Sequence, residues 1–263
     1  MLFAAIIFKL KPVNQRISPS ISRVNGINIQ EALFSHPEIA CIPVDLQILQ
    51  DQQRITTAFL GRHNQAYKVR ITIITKESSN LFNSLIILLT THPKLQLCNT
   101  EWQIEEVEFS SSDMWTGIST WVDLMNKTLG HHIRFTFATP VIVKGDNDSN
   151  DGYPSSFPSP INVYADLKRR WEVLDGPELP AGWEDFLNAG SCYVSDYHNL
   201  RGTMTQTPQG SQIMYSGTVV YEYRKNEPKY NNALNALARL AFYTGVGQET
   251  VRGMGATRII ILE

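Results

Sequence analysis

The order of apolar patterns along these 263 residues predicts an α+β protein built from two tandem domains. Two observations carry the expectation. Each half reads strand, helix, strand, strand, helix, strand, which is the ferredoxin-like (βαββαβ, RRM-like) order. A stretch at 110–130, opening on three serines and closing on Gly130, separates the halves as a connection. The domains are therefore expected over residues 1–125 and 130–263, the second carrying a glycine-rich loop.

Taken in order, residues 1–10 are apolar through Phe8 and read as a buried strand. Pro12, Pro19 and Gly26 mark 12–28 as a loop. Residues 29–36 carry a short helical pattern that Pro37 stops. Strand patterns follow at 54–60 and 67–75; in the second, Tyr67, Val69, Ile71 and Ile73 alternate with Lys68, Arg70 and Thr72. Between them Gly61-Arg62-His63-Asn64 reads as a turn. Residues 79–90 form an apolar helix ending near His92-Pro93, and 102–109 a strand. The connection is helical around Trp121–Met125.

In the second half, Ile133 to Lys144 alternates as a strand with a break at Pro140. Residues 145–160 are rich in Gly, Asn, Asp, Ser and Pro and form a loop. A helix runs through Tyr164–Trp171. Two long strands, 191–206 and 212–224, flank the turn Thr207-Pro208-Gln209-Gly210. In the second of them Ile213, Tyr215, Val219, Tyr221 and Tyr223 share a face. Leu234, Leu237, Ala238 and Ala241 recur at helical spacing within 230–243, and Arg258–Leu262 closes the chain as a strand.

Composition narrows the function classes. Hydrophobic residues at 43 % and charged residues at 18 % call for a packed core. A net charge of −2 means that any nucleic-acid site is a local basic patch, not a basic protein. Cys41, Cys98 and Cys192 are scattered without a C-x-x-C pair, which fits a reducing compartment. Met1–Phe8 lacks the basic start and cleavage site of a secretion signal. No apolar run approaches the roughly 20 residues that span a bilayer, so a cytoplasmic protein is expected.

Residues 242–263 hold the most informative pattern. Gly245, Gly247, Gly253 and Gly255 punctuate a loop with the spacing G-x-G-x-x-x-x-x-G-x-G, and Arg252 lies inside it. A helix precedes it and a strand follows. That order is the reverse of the dinucleotide fingerprint and of the Walker loop, which follow a strand and open a helix. Two readings stay open. The loop amides line an anion-binding concavity beside Arg252, or the glycines only let a helix pack tightly on a sheet.

Joined to Ala241-Phe242-Tyr243, this glycine signature resembles the CRISPR-associated endoribonuclease family that cuts repeat RNA, the sixth of the Cas proteins. Further matching features are P-S-S-F-P-S-P with the helix L-K-R-R-W, the strand V-S-D-Y-H-N-L-R, and the hairpin ending G-T-V-V-Y-E-Y. Together they cover roughly residues 131–263. The resemblance implies two ferredoxin-like domains, binding of CRISPR repeat RNA (pre-crRNA), and one metal-independent cut needing no cofactor. In that reaction the ribose 2′-OH attacks the phosphate, leaving a 2′,3′-cyclic phosphate and a 5′-hydroxyl. Other Cas proteins of a crRNA-guided complex are the implied partners, and no membrane is involved.

The family's catalytic histidine follows the first helix of the amino-terminal domain. Matching the family's pattern to Asp45–Leu60 puts Gln47 at that position, and glutamine exchanges no proton. The alternative to an endoribonuclease is therefore a catalytically weak or inactive repeat-binding subunit. His36, near the end of the first helix, and His63, in the turn beside Arg62, are the candidate catalytic residues. Each also reads as a surface histidine. His131 and His132 are weaker candidates, and His92 and His198 are set aside. Lys168, Arg169 and Arg170, with Gly245, Gly247, Arg252, Gly253, Gly255 and Arg258, are the candidate RNA contacts. No metal site is expected. The run Gly145–Gly152 has aspartate at the sixth loop position and Phe157 at the twelfth, where a calcium loop needs glycine and glutamate.

Overall fold

A computed structural model describes residues 1–13, 25–63, 66–76, 80–110, 112–126, 130–143, 157–207, 210–224 and 227–262. The chain divides into two compact units, Met1–Thr120 with Thr250–Gly253, and Trp121–Glu249 with Met254–Glu263. The turn centred on Pro208-Gln209 and the acidic run 145–152 lie outside the described residues.

The first unit runs β1 (Leu2–Pro12), α1 (Gly26–Phe34), α2 (Pro37–Ala40), α3 (Leu46–Asp51), β2 (Ile55–His63), β3 (Ala66–Thr75), α4 (Leu81–Thr91), β4 (Lys94–Leu97), β5 (Thr100–Glu108) and β6 (Gly117–Thr120). Its sheet is ordered β2-β3-β1-β5-β4, with β6 also pairing β1. The apolar start of the chain is the central strand: Phe3 to Phe8 are all buried. Ala4, Ile6, Phe8 and Leu10 pack with Ile29 and Leu33 of α1 and with Leu81, Leu85 and Leu88 of α4. Each of the Ile, Leu and Phe side chains removed from water contributes about 1.5–3 kcal/mol.

Helix α1 begins at Gly26, three residues before the sequence reading placed it. Asn25 caps it by accepting from the amides of Ile27 and Asn28, while the Asn28 side chain accepts from the Asn25 amide. Strand β4 had no counterpart in the sequence reading. Its turn into β5 is made by Cys98 and Asn99, both at positive φ (48° and 62°), without the glycine that signals a hairpin.

The second unit runs α5 (Trp121–Leu124), β7 (His132–Val141), α6 (Pro160–Val173), α7 (Trp183–Phe186), β8 (Cys192–Thr207), β9 (Gly210–Tyr223), α8 (Pro228–Thr244) and β10 (Thr257–Leu262), in sheet order β10-β7-β9-β8. The first, second, third and last long strands of this unit thus stand in the order 4-1-3-2. The first unit repeats that order with β5, β1, β3 and β2. Both are ferredoxin-like. The register of β7 on β9 slips between Phe137 and Val141, where Pro140 can donate no ladder bond.

Val219, Tyr221 and Tyr223 face the core as their alternation predicted. The Tyr221 hydroxyl donates to Pro158 O (2.7 Å) and that of Tyr223 to Asn235 Oδ1 (3.0 Å). Tyr243 is buried as well, so these rings are core and not base-stacking platforms. Among the described residues no helix is long and apolar enough to cross a membrane.

Candidate functional site

In the first unit His36 directly follows α1 and caps the short α2, its Nδ1 accepting from the Glu38 amide at 3.4 Å. The side chain is half-buried. Its ring meets the ring of His92 edge to face, with centroids 4.5 Å apart and planes at 60°. His92 caps the C-terminus of α4, its amide donating to Leu88 O (2.9 Å). Its Nδ1 lies 2.8 Å from the Thr91 hydroxyl, which also donates to Ile87 O at 2.7 Å.

The sequence reading set His92 aside. The available signal was a repeated dipeptide: His36-Pro37 and His92-Pro93 both follow a helix. A proline there ends the helix and leaves the preceding residue extended, so both imidazoles sit at helix ends.

Gln47 does not stand behind the first helix. It lies in the first turn of α3, exposed, with its amide group donating to Asp51 Oδ1 (2.8 Å). His63 is the last residue of β2, opposite Ala66 in the hairpin ladder; its side chain lies outside the described residues.

The 3₁₀ turn Thr250–Arg252 belongs to the first unit, where it packs on α1 and β2. Gln30, fully buried on α1, donates to Val251 O (3.0 Å) and Thr57 Oγ1 (3.2 Å), and its own oxygen accepts from Gln50 (2.8 Å). The fit is close enough to require glycine on both sides. A Cβ on Gly26 would sit 2.6 Å from Val251 O, and one on Gly253 2.6 Å from Thr57 O. Arg252 is thereby held exposed at the amino-terminal end of α1.

The amide cradle expected of the glycines is not formed. Gly245 N donates to Ala241 O (2.9 Å), Gly253 N to Thr250 O (3.0 Å) and Gly255 N to Pro140 O (2.8 Å). Gly247 N donates to Asp166 Oδ2 at 2.7 Å. Each donor is used inside the fold, so none is left for an anion. The glycines serve close packing instead: a Cβ on Gly247 would lie 2.3 Å from Ile142 O.

Arg170 is likewise not a phosphate contact. It is 2 % exposed, and its guanidinium donates to Asp166 Oδ2 (2.8 Å), Thr244 O (3.1 Å) and Gly247 O. Burying this helix face is what ties the glycine loop to α6. Arg169, one residue earlier, is exposed and reaches Asp166 Oδ1. Lys168 pairs with Glu184 (2.9 Å) and Glu172 (3.3 Å). The Glu184 hydrogen bond leads in holding its ammonium above the usual lysine range. Arg258 is half-buried on β10, opposite Thr136 of β7. Among the described residues no group of three or more His, Cys, Asp or Glu is placed to hold a metal ion.

Residues 135–257 match the family model of the CRISPR-associated endoribonuclease Cas6. No curated protein sequence matches the chain. Among solved structures, a Cas6 product complex superposes with a TM-score of 0.76 at 20 % identity, covering 98 % of this chain and 99 % of that one. Thermus thermophilus Cas6 gives 0.73 at 19 % identity, covering 98 % of each chain. A Cas6 substrate mimic complex gives 0.69 at 21 % identity, covering 99 % of this chain and 100 % of that one. The fold of these structures is the tandem ferredoxin-like arrangement found here, and the match to the family model of CRISPR-associated Cas6 endoribonucleases lies over the second unit of this chain.

Proposed function

We propose that this protein binds CRISPR repeat RNA and cuts it once within the repeat without a metal ion. The observation that carries the reading is His36, a half-buried imidazole set directly behind α1, where the family resemblance places a catalytic histidine. An imidazole is the side chain suited to moving a proton in this reaction. The ribose 2′-oxygen attacks the adjacent phosphate, the bond to the 5′-oxygen breaks, and the products carry a 2′,3′-cyclic phosphate and a 5′-hydroxyl. The 2′-OH nucleophile makes RNA the only substrate.

Lys168, Arg169, Arg252 and Arg258 supply the phosphate contacts in this reading; Arg170 and the four glycines hold the surfaces that carry them. Phosphate contacts set affinity and salt dependence, and base contacts set the choice of repeat. The cut RNA stays bound and passes, with the protein, into a complex with other Cas proteins in the cytoplasm.

End-labelled repeat RNA incubated with the protein in EDTA tests the proposal. The expected result is a single cut with a cyclic-phosphate end, slowed at least about 100-fold by His36→Ala while affinity is retained. Tight binding with no cut by the native protein would leave a repeat-binding subunit. The motive for that alternative was Gln47, which sits on α3 and not behind α1.

A further inference from the structure

We propose that His92 is a second catalytic residue of the cut, the general base, with His36 as the general acid. The inference rests on the cleavage reading above and adds the residue that completes it. Attack by a 2′-OH requires one group to take its proton and another to give one to the leaving 5′-oxygen. The structure brings two imidazoles into contact at the ends of α1 and α4, both half-buried and open to solvent.

The hydrogen bonds fix which ring is which. The Thr91 hydroxyl has one proton, and it goes to Ile87 O at 2.7 Å, since a carbonyl only accepts. In the 2.8 Å bond between Thr91 Oγ1 and His92 Nδ1 the hydroxyl oxygen therefore accepts, and His92 Nδ1 carries the hydrogen. Neutral His92 then presents an unprotonated Nε2. A ring held through Nδ1–H with Nε2 bare is the arrangement a general base needs. His36 is the opposite case. Its Nδ1 accepts from the Glu38 amide, so its neutral form carries the hydrogen on Nε2 and offers no bare nitrogen there. It enters the reaction as the imidazolium, for which it gives up only that long 3.4 Å contact.

The step balances. His92 Nε2 takes the 2′-hydroxyl proton as the 2′-oxygen bonds to phosphorus. The bond from phosphorus to the 5′-oxygen breaks, and His36 gives its Nε2 proton to that oxygen. The enzyme ends with His92 protonated and His36 neutral; exchange with water restores both. Thr91 is a positioning residue. Among the described residues, the charged groups on the elements around the pair are Glu31 on α1, Glu38 on α2, and Lys94 of β4 with its partner Glu101 on β5; α4 carries none.

The test is single-turnover cleavage of labelled repeat RNA across pH by the native protein, His92→Asn and His36→Asn. Asparagine at 92 keeps an N–H for Thr91 and removes the base. Both variants are expected to slow at least about 100-fold with RNA affinity retained. His92→Asn loses the limb on which the rate rises with pH, because a base must be deprotonated. His36→Asn loses the limb on which it falls. A slow His36→Asn beside a His92→Asn that keeps its rate and rising limb would overturn the inference and leave the cleavage reading standing. No cut by the native protein would remove both. The native protein alone gives a second readout: ¹⁵N shifts of neutral His92 are expected to show hydrogen on Nδ1, and hydrogen on Nε2 would overturn the assignment.

Discussion

Oδ2 of Asp166 accepts from the Gly247 amide at 2.7 Å and from Arg170 Nε at 2.8 Å. One buried carboxylate oxygen thus ties the second turn of α6 to a loop 81 residues later. Removing Arg170 leaves that charge buried and the carbonyls of Thr244 and Gly247 without this donor. We expect Arg170→Ala to cost about 3–5 kcal/mol, read from urea unfolding midpoints. Arg169→Ala, one position away and exposed, is expected to stay within about 0.5 kcal/mol of native. Equal losses would show that Arg170 is not the structural member of the pair.

Gly247 carries a related prediction. It sits at φ 84° with Ile142 O 2.3 Å from the place of a Cβ. Gly247→Ala is expected to destabilise by about 1–3 kcal/mol, from strain and overpacking together. A thermal melt of the variant checks it. Gly190, also at positive φ (71°) but with nothing near its Cβ position, is expected to lose less on the same substitution.

Arg252 separates binding from folding. Being exposed on a turn that Gln30 holds in place, it is expected to leave stability unchanged on Arg252→Ala. Affinity for repeat RNA should fall, and the slope of log affinity against log salt should flatten by about one. An unchanged slope would take Arg252 out of the phosphate contacts.

Asp113 sets an acid limb of stability. Burial alone would push its carboxyl up. The Lys68 ammonium at 2.6 Å, the Trp115 amide at 2.8 Å and the charge of Arg70 outweigh that and hold it below the usual carboxylate value of 3.8. A lowered folded-state value stabilises at pH above the unfolded value and fades as pH falls through the folded one. The melting difference between native and Asp113→Asn should therefore be full near neutral pH and shrink below about pH 4. A difference that grows on acidification would reverse the sign.

Thiol reactivity checks the second unit's core. Cys41 and Cys98 are exposed, while Cys192 opens β8 with its side chain buried. Burial pushes its thiol well above the usual range, so its thiolate is scarce. Two of the three cysteines should titrate with a disulfide reagent in the folded protein, and the third only in denaturant.

The strands and long helices were legible because each carries a pattern of period two or near 3.6 on a buried face, as β3, β9 and α8 do. What escaped was short or was signalled by the wrong residues. The four residues of α2 have no room for a periodic stripe, and the α1 cap is Asn25 paired with Asn28 where a Ser–Glu box is the familiar cue. At the site, His36 was found from its place after a helix. Its contact with His92 joins positions 56 residues apart across two helix ends, and no local pattern encodes it. The glycine signature was visible, but the use of its amides was not. Whether an amide faces solvent or a partner such as Asp166 depends on tertiary packing, and the loop's own composition is the same in both cases.

The pairing of Gly26 and Gly253 around one 3₁₀ turn has a practical outcome for anyone dividing this protein. A fragment ending at Thr120 would omit Thr250–Gly253, strip Gln30 of its acceptor on Val251, and open the strand edge at Thr57 to water. Expressed alone, such an amino-terminal piece should be less soluble and melt earlier than its length suggests. Supplying the missing tetrapeptide by circular permutation, with the carboxy-terminal turn fused ahead of Met1, is the economical way to rescue it.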